Sequence, residues 1–264
     1  MSRALILFFC IIATSFTMSL VVSMSGASGF WLLAGLSIAL YLLYLGIFFI
    51  FQKNALGDKK LLVARPDFNF KPRPTNAIVI VLAALCCLTA FILLQFASLD
   101  FFYYIKLLKE SSPFVIQGGF GGYVICVLAM CIMPAVIEEL LFRGVIFKSL
   151  LARKGQHAQI IAVLLSALLF AVFHLNPAQL VYQFILGIIF ALMYLKTGNI
   201  LYPMLAHFIN NFFVITYTFI AGSDYMPYSW SAMTIVTAIL LAFGGATIIM
   251  GLIKVLKKER NADK

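Results

Sequence analysis

Eight apolar stretches, each near the length of a helix that crosses a lipid bilayer, leave this chain little freedom in what it can fold into. They run over residues 4–24, 29–52, 76–98, 115–147, 158–175, 178–195, 199–221 and 231–253. Crossing the hydrocarbon layer takes about 20 helical residues at ~1.5 Å each. The fifth and sixth stretches sit near the short limit, and the fourth exceeds what the bilayer needs. Hydrophobic residues make up 64% of the 264, and charged residues only 11%, against roughly 25% in a soluble domain. Too little polar surface remains to cover a core in water. In lipid the backbone is satisfied by helices or closed barrels, and continuous apolar runs favour helices over alternating strands. The expected fold is therefore all-α, a polytopic membrane protein of about eight transmembrane helices.

The basic residues test that count. With the N-terminus in the cytoplasm, sixteen of the 19 fall in inside segments. These are Arg3, the segment 53–75, the turn with Lys148, Arg153 and Lys154, then Lys196, and the tail from Lys254 to Lys264. Only Lys106 and Lys109 fall outside, and Arg143 lies within a span. Cytoplasmic loops carry an excess of Lys and Arg, so the bias predicts an N-in, C-in chain. It also explains the net charge of +10 without nucleic acid, which is not expected as a partner. Membrane lipids are, since the basic, proline-containing 53–75 segment suits anionic headgroups. The first stretch also has a signal-peptide flavour, with Arg3 ahead of it and small residues at Ser25–Ser28. Its length exceeds a signal core of about 7–15 residues, so it reads as a retained helix. Cys10, Cys86, Cys87, Cys126 and Cys131 lie in apolar stretches without Cys-x-x-Cys spacing and read as small buried side chains. Gly118, Gly119, Gly121 and Gly122 suggest close helix packing at the start of the fourth span. Three parts follow: N-terminal helices over 1–114 with their basic loop, a core over 115–221, and a last helix and basic tail over 222–264.

Ionisable groups inside lipid are costly, so each one needs a reason. The fourth span holds Glu138, Glu139 and Arg143. Glu139 and Arg143 are four apart and share a helix face, which suits a structural ion pair. Glu138 lies about 100° round the helix and is free to face elsewhere. Pro134 frees the carbonyl of Met130 and predicts a bend just before the acidic pair. His174 ends the fifth span, and the seventh carries His207 and, four residues on, Asn211. That spacing favours Asn211 over Asn210 as the partner of His207. His157 falls in a predicted loop, facing solvent. Glu138 and His174 are each 16 residues from the turn between their helices, about 24 Å along a helix. An antiparallel hairpin brings them level. His207, about 12 Å into its own helix, joins them if the fourth and fifth helices project into the cytoplasm.

Glu138-Glu139-x-x-x-Arg143, Phe170-x-x-x-His174 and His207-x-x-x-Asn211, in that order, resemble the three motifs of the CAAX-protease and bacteriocin-processing (CPBP, or Abi) family of intramembrane endopeptidases. The run Thr197-Gly198-Asn199-Ile200-Leu201-Tyr202-Pro203 is also similar to that family. The resemblance covers roughly residues 115–215, and the first three helices enter it only as topology. It implies a protease whose catalytic set is Glu138, Glu139, Arg143, His174, His207 and Asn211, with Glu138 as the catalytic glutamate. Such chemistry needs a base for water and donors for the oxyanion. Glu138 suits the base, His174 an orienter of water or charge stabiliser, and His207 with Asn211 the donors. The same residues, Glu138, His174 and His207 above all, can instead hold a zinc ion with a water. The chain lacks the His-Glu-x-x-His helix of ordinary zinc proteases, so no obligatory cofactor is expected. By resemblance the partner is a peptide or protein substrate, either a CAAX-like protein or a bacteriocin- or pheromone-like precursor with its self-immunity. The setting expected from the short loops is a bacterial plasma membrane. Two other functions fit the same spans: a non-proteolytic regulator or scaffold, for instance of a sensor kinase, and a transporter with the cluster as proton relay. The absence of a detectable repeat counts against the transporter.

Overall fold

A computed structural model describes residues 2–25, 29–55, 116–152, 157–175 and 180–221 of the protein. The described residues form six helical elements and no strand. They are α1 (Ser2–Ser25), α2 (Phe30–Ala55), α3 (Gly119–Leu151), α4 (Ala158–Phe173), α5 (Leu180–Thr197) and α6 (Leu201–Ala221). Each coincides with one of the apolar stretches, shifted by a few residues at its ends. The stretches at 76–98 and 231–253, the basic segment over 56–75, Lys106 and Lys109, and the C-terminal tail lie outside the described residues. Among those described, Phe30–Ile50, Gly119–Leu151 and Leu180–Thr197 are long and apolar enough to cross a membrane.

Element α3 is the axis of the assembly. At 33 residues it is about 50 Å long, well beyond a hydrocarbon layer of ~30 Å. It packs against all five other helices, and α4 and α5 form an extensive antiparallel pair beside it. Two stretches of α3, Val127–Ile132 and Leu140–Phe147, widen into π-helix and bracket the α-helical turn Met133–Glu139 that carries the acidic pair. Inserted π-turns of this kind accompany functional sites. The first has a local cause. Pro134 has no N–H to give the carbonyl of Met130, and the side chain of Asn211 in α6 donates to that carbonyl instead, at 3.0 Å.

The interior is aromatic and small. Phe142, Phe147, Phe170 and Phe190 are fully buried; Phe170 meets Phe142 and Phe190 edge to face, and Phe147 meets Tyr194 in the same way, an arrangement that ring quadrupoles favour. Lipid tails are as apolar as these rings, so close packing and polar contacts drive helix association here. Gly187 shows how close that packing is. A Cβ at this position would come within 2.7 Å of the Cα of Ala167 in α4. The outward faces carry Phe9, Phe49, Ile50, Phe120, Val181 and Ile220, all well exposed, as a lipid-facing surface requires.

The glycines that open α3 do more than pack. Gly118 and Gly119 take left-handed backbone, φ 80° and 58°, which residues with a Cβ rarely adopt. The ring of Trp31 in α2 lies directly against Gly118. Cys126 and Cys131 are buried, and Cys10 is half-buried; all three are free thiols. Cys86 and Cys87 lie outside the described residues. His157 is exposed, at the start of α4.

Candidate active site

Three helices bring their polar side chains to one place. Met133–Glu139 of α3 carries Glu138, 2% exposed, and Glu139, wholly buried. His174 caps the C-terminal end of α4. There the chain turns out of the helix, and Leu175 takes φ 50°. His207 stands in the second turn of α6 and is buried. Asn199 starts that helix by accepting the N–H of Leu201 on its side-chain oxygen, at 2.9 Å. The Nε2 atom of His174 lies 3.9 Å from Oε2 of Glu138, and the Nε2 atom of His207 lies 4.0 Å from the same oxygen. The equal depths worked out for Glu138 and His174 correspond to this meeting.

Hydrogen bonds elsewhere on each ring decide what the converging atoms offer. Nδ1 of His174 is 2.9 Å from the carbonyl of Phe170, and Nδ1 of His207 is 3.1 Å from Oε1 of Glu139. Both Nδ1 atoms face acceptors, so both carry protons and each Nε2 is left to face Glu138. Oε2 of Glu138 is itself buried with no hydrogen-bond partner. Its other oxygen, Oε1, accepts the hydroxyl of Tyr41 at 2.6 Å.

Glu139 has two partners on one oxygen. Its Oε1 accepts from Nη1 of Arg143 at 2.9 Å as well as facing His207. Arg143 is fully buried, and its Nη2 donates to the carbonyl of Gly187 in α5 at 2.9 Å. Its guanidinium lies over the rings of Phe170 and Phe190, 4.7 and 5.2 Å from their centroids, which supplies cation–π attraction in place of water. The expected ion pair is therefore present, and it also orients an imidazole. Phe190 completes the support by stacking on His207, centroids 5.1 Å apart and planes 20° apart.

Asn211 sits differently. One Nδ2 proton goes to the carbonyl of Met130, and its Oδ1 accepts from Nδ2 of Asn210 at 3.0 Å. Asn210 in turn accepts from the hydroxyl of Tyr182 at 2.7 Å. The pair of asparagines thus ties α6 to α3 and α5.

Tyr41, Gly187, Phe190 and Tyr182 were not visible as site residues in the sequence. Tyr41 comes from α2, one of the helices read there as topology alone. Its signal, a phenol in an apolar span, is too common to single it out.

The donor types suit zinc: one carboxylate oxygen, two imidazole nitrogens, and a carboxylate behind His207. The spacing suits it less well. Tetrahedral zinc with ligands at about 2.05 Å holds them about 3.3 Å apart, and here they stand 3.9 and 4.0 Å apart. Among the described residues no group of three or more His, Cys, Asp or Glu is drawn together to that degree. A water molecule hydrogen-bonded at ~2.8 Å bridges groups at the observed separation without movement.

Comparison with curated proteins and with solved structures gave no match. A family model does match, described as Rce1-like: type II CAAX prenyl endopeptidase Rce1-like, over residues 120–213. That segment holds Glu138, Glu139, Arg143, His174, His207 and Asn211, and it leaves out Tyr41. Over residues 120–213, then, this membrane chain is similar to the Rce1-like (CPBP) family of proteases.

Proposed function

We propose that the protein is an intramembrane endopeptidase of a cell membrane, which hydrolyses a peptide bond in a membrane-associated substrate by glutamate-activated water. The observation that carries this reading is the unpartnered Oε2 of Glu138, buried and faced by the Nε2 atoms of His174 and His207.

Glu138 takes a proton from the water as oxygen adds to the scissile carbonyl carbon. It then returns that proton to the leaving amine as the C–N bond breaks. Charge develops on the carbonyl oxygen between those steps and needs donors. His207 supplies one when its Nε2 carries a proton, and Glu139 on the far nitrogen orients the ring, as a carboxylate does in a hydrolase triad. His174, 18% exposed at the helix end, orients the water. Asn211 contributes by holding α6 against α3, its second Nδ2 proton being the one left for an oxyanion. Arg143 holds the carboxyl group of Glu139 in place. The catalytic step requires no metal. If zinc binds, Glu138, His174 and His207 hold it, and it supplies Lewis-acid polarisation of the water.

For substrate, the family match favours a CAAX-like, lipid-anchored C-terminus over a bacteriocin- or pheromone-like precursor. Purified protein in detergent is offered both, as a prenylated CAAX peptide and as an unmodified leader peptide. Cleavage of the first with Glu138→Gln inactive supports the whole reading. Cleavage of the second alone moves the substrate to the precursor class, and full activity of Glu138→Gln refutes the mechanism.

A further inference from the structure

The carboxylate read as the base is held by a helix outside the matched segment. Tyr41 in α2 donates its hydroxyl to Oε1 of Glu138 across 97 positions of sequence. At 2.6 Å this is the length of a charge-assisted O–H···O⁻ bond. We propose that Tyr41 is a positioning residue for hydrolysis, fixing Oε1 so that Oε2 is the oxygen presented to the two histidines; the inference rests on Glu138 being the base.

The physical argument starts from the torsion at the end of a glutamate. That torsion is broad and two-fold, so an unsupported carboxylate turns and exchanges its oxygens. A base must hold one lone pair toward its water, and small misplacements cost large factors in rate. Its neighbours on α3 do not pin Oε1 here: Nη1 and Nη2 of Arg143 go to Glu139 and to Gly187 of α5, and Glu139 faces His207 of α6. Tyr41 can, and its own ring is held. Tyr44, one turn further along α2, meets it edge to face with centroids 5.8 Å apart. The hydroxyl of Tyr44 is bonded to Ser15 of α1, and its ring packs on Phe173 of α4. The two N-terminal helices thus form a brace whose working end is one hydroxyl on the proposed base. By this reading the segment 120–213 needs α2 to complete its site.

The experiment compares Tyr41→Phe and Tyr44→Phe in the full chain, purified in detergent, with Glu138→Gln alongside. Hydrogen bonds to charged groups contribute about 1.5–3 kcal/mol, so Tyr41→Phe is expected to lower kcat about 10- to 100-fold with KM within about twofold of the parent. Tyr44→Phe loses a bond of the brace but none to Glu138, and is expected to keep kcat within about twofold. Both variants should match the parent in thermal unfolding within a few degrees. If Tyr41→Phe cleaves like the parent while Glu138→Gln is dead, the positioning role falls and the base survives. If Tyr44→Phe loses as much kcat as Tyr41→Phe, or if Tyr41→Phe raises KM at constant kcat, the role is structural or substrate-binding and the inference is overturned. If Glu138→Gln cleaves normally, both the base and the role of Tyr41 fall together.

Discussion

Two adjacent glutamates, one residue apart in sequence, serve different ends because of what faces them. Each keeps one buried oxygen without a hydrogen-bond partner, but that of Glu138 faces the Nε2 atoms of two histidines, whereas the other oxygen of Glu139 is taken up by Arg143 and His207. Their substitution should separate the roles. Arg143→Leu leaves a buried carboxylate without its cation, a loss of about 3–5 kcal/mol, read as a fall in thermal unfolding temperature in detergent. Glu138→Gln is expected to unfold with the parent while losing cleavage. His174→Ala and His207→Ala should each retain the fold and lose about 10²- to 10⁴-fold in kcat, the range for acid–base groups, in the same peptide assay. A parent-like rate in either would detach that imidazole from the chemistry.

Helices meet here through single residues that remove or supply a backbone group. Pro134 frees a carbonyl in α3, and Asn211 from α6 answers it. Restoring the N–H should make that side-chain bond redundant. Asn211→Ala is expected to cost about 1 kcal/mol in the parent and much less in a Pro134→Ala background, measured by equilibrium unfolding as a double-mutant cycle. Equal costs in both would separate the two residues. Gly187 is a second such point, where α5 touches the backbone of α4 and presents its carbonyl to Arg143. Gly187→Ala adds one methyl with nowhere to go. A loss of about 1–3 kcal/mol is expected from such overpacking, with a fall in cleavage as Arg143 shifts; unchanged stability would mean that the helices separate freely.

For the whole molecule, two expectations concern its surroundings rather than its interior. Reporter fusions at the C-terminal tail should read as cytoplasmic, and one in the segment around Lys106 and Lys109 as external, following the charge bias. The opposite pattern would overturn the N-in, C-in reading. A chelator strong enough to strip zinc should leave cleavage unchanged after prolonged incubation, since Glu138 acts on water directly. A loss restored by added zinc would assign the metal to Glu138, His174 and His207 instead.

Hydropathy is a property of a chain read in order, and it sufficed for the six described helices, while counting residues from the turn sufficed to bring Glu138 and His174 level. Spacing along one helix likewise sufficed for the Glu139–Arg143 pair, since residues four apart are neighbours whatever surrounds them. The partners that cross between helices needed the packed structure. Tyr41 on Glu138, Glu139 on His207, Asn211 on Met130 and Arg143 on Gly187 each depend on which faces meet and how closely. Lipid offers no solvent to satisfy buried polar groups, so packing alone selects which donor reaches which acceptor. A linear pattern carries no distance between helices, and for that reason the tertiary structure decided how the acid is held.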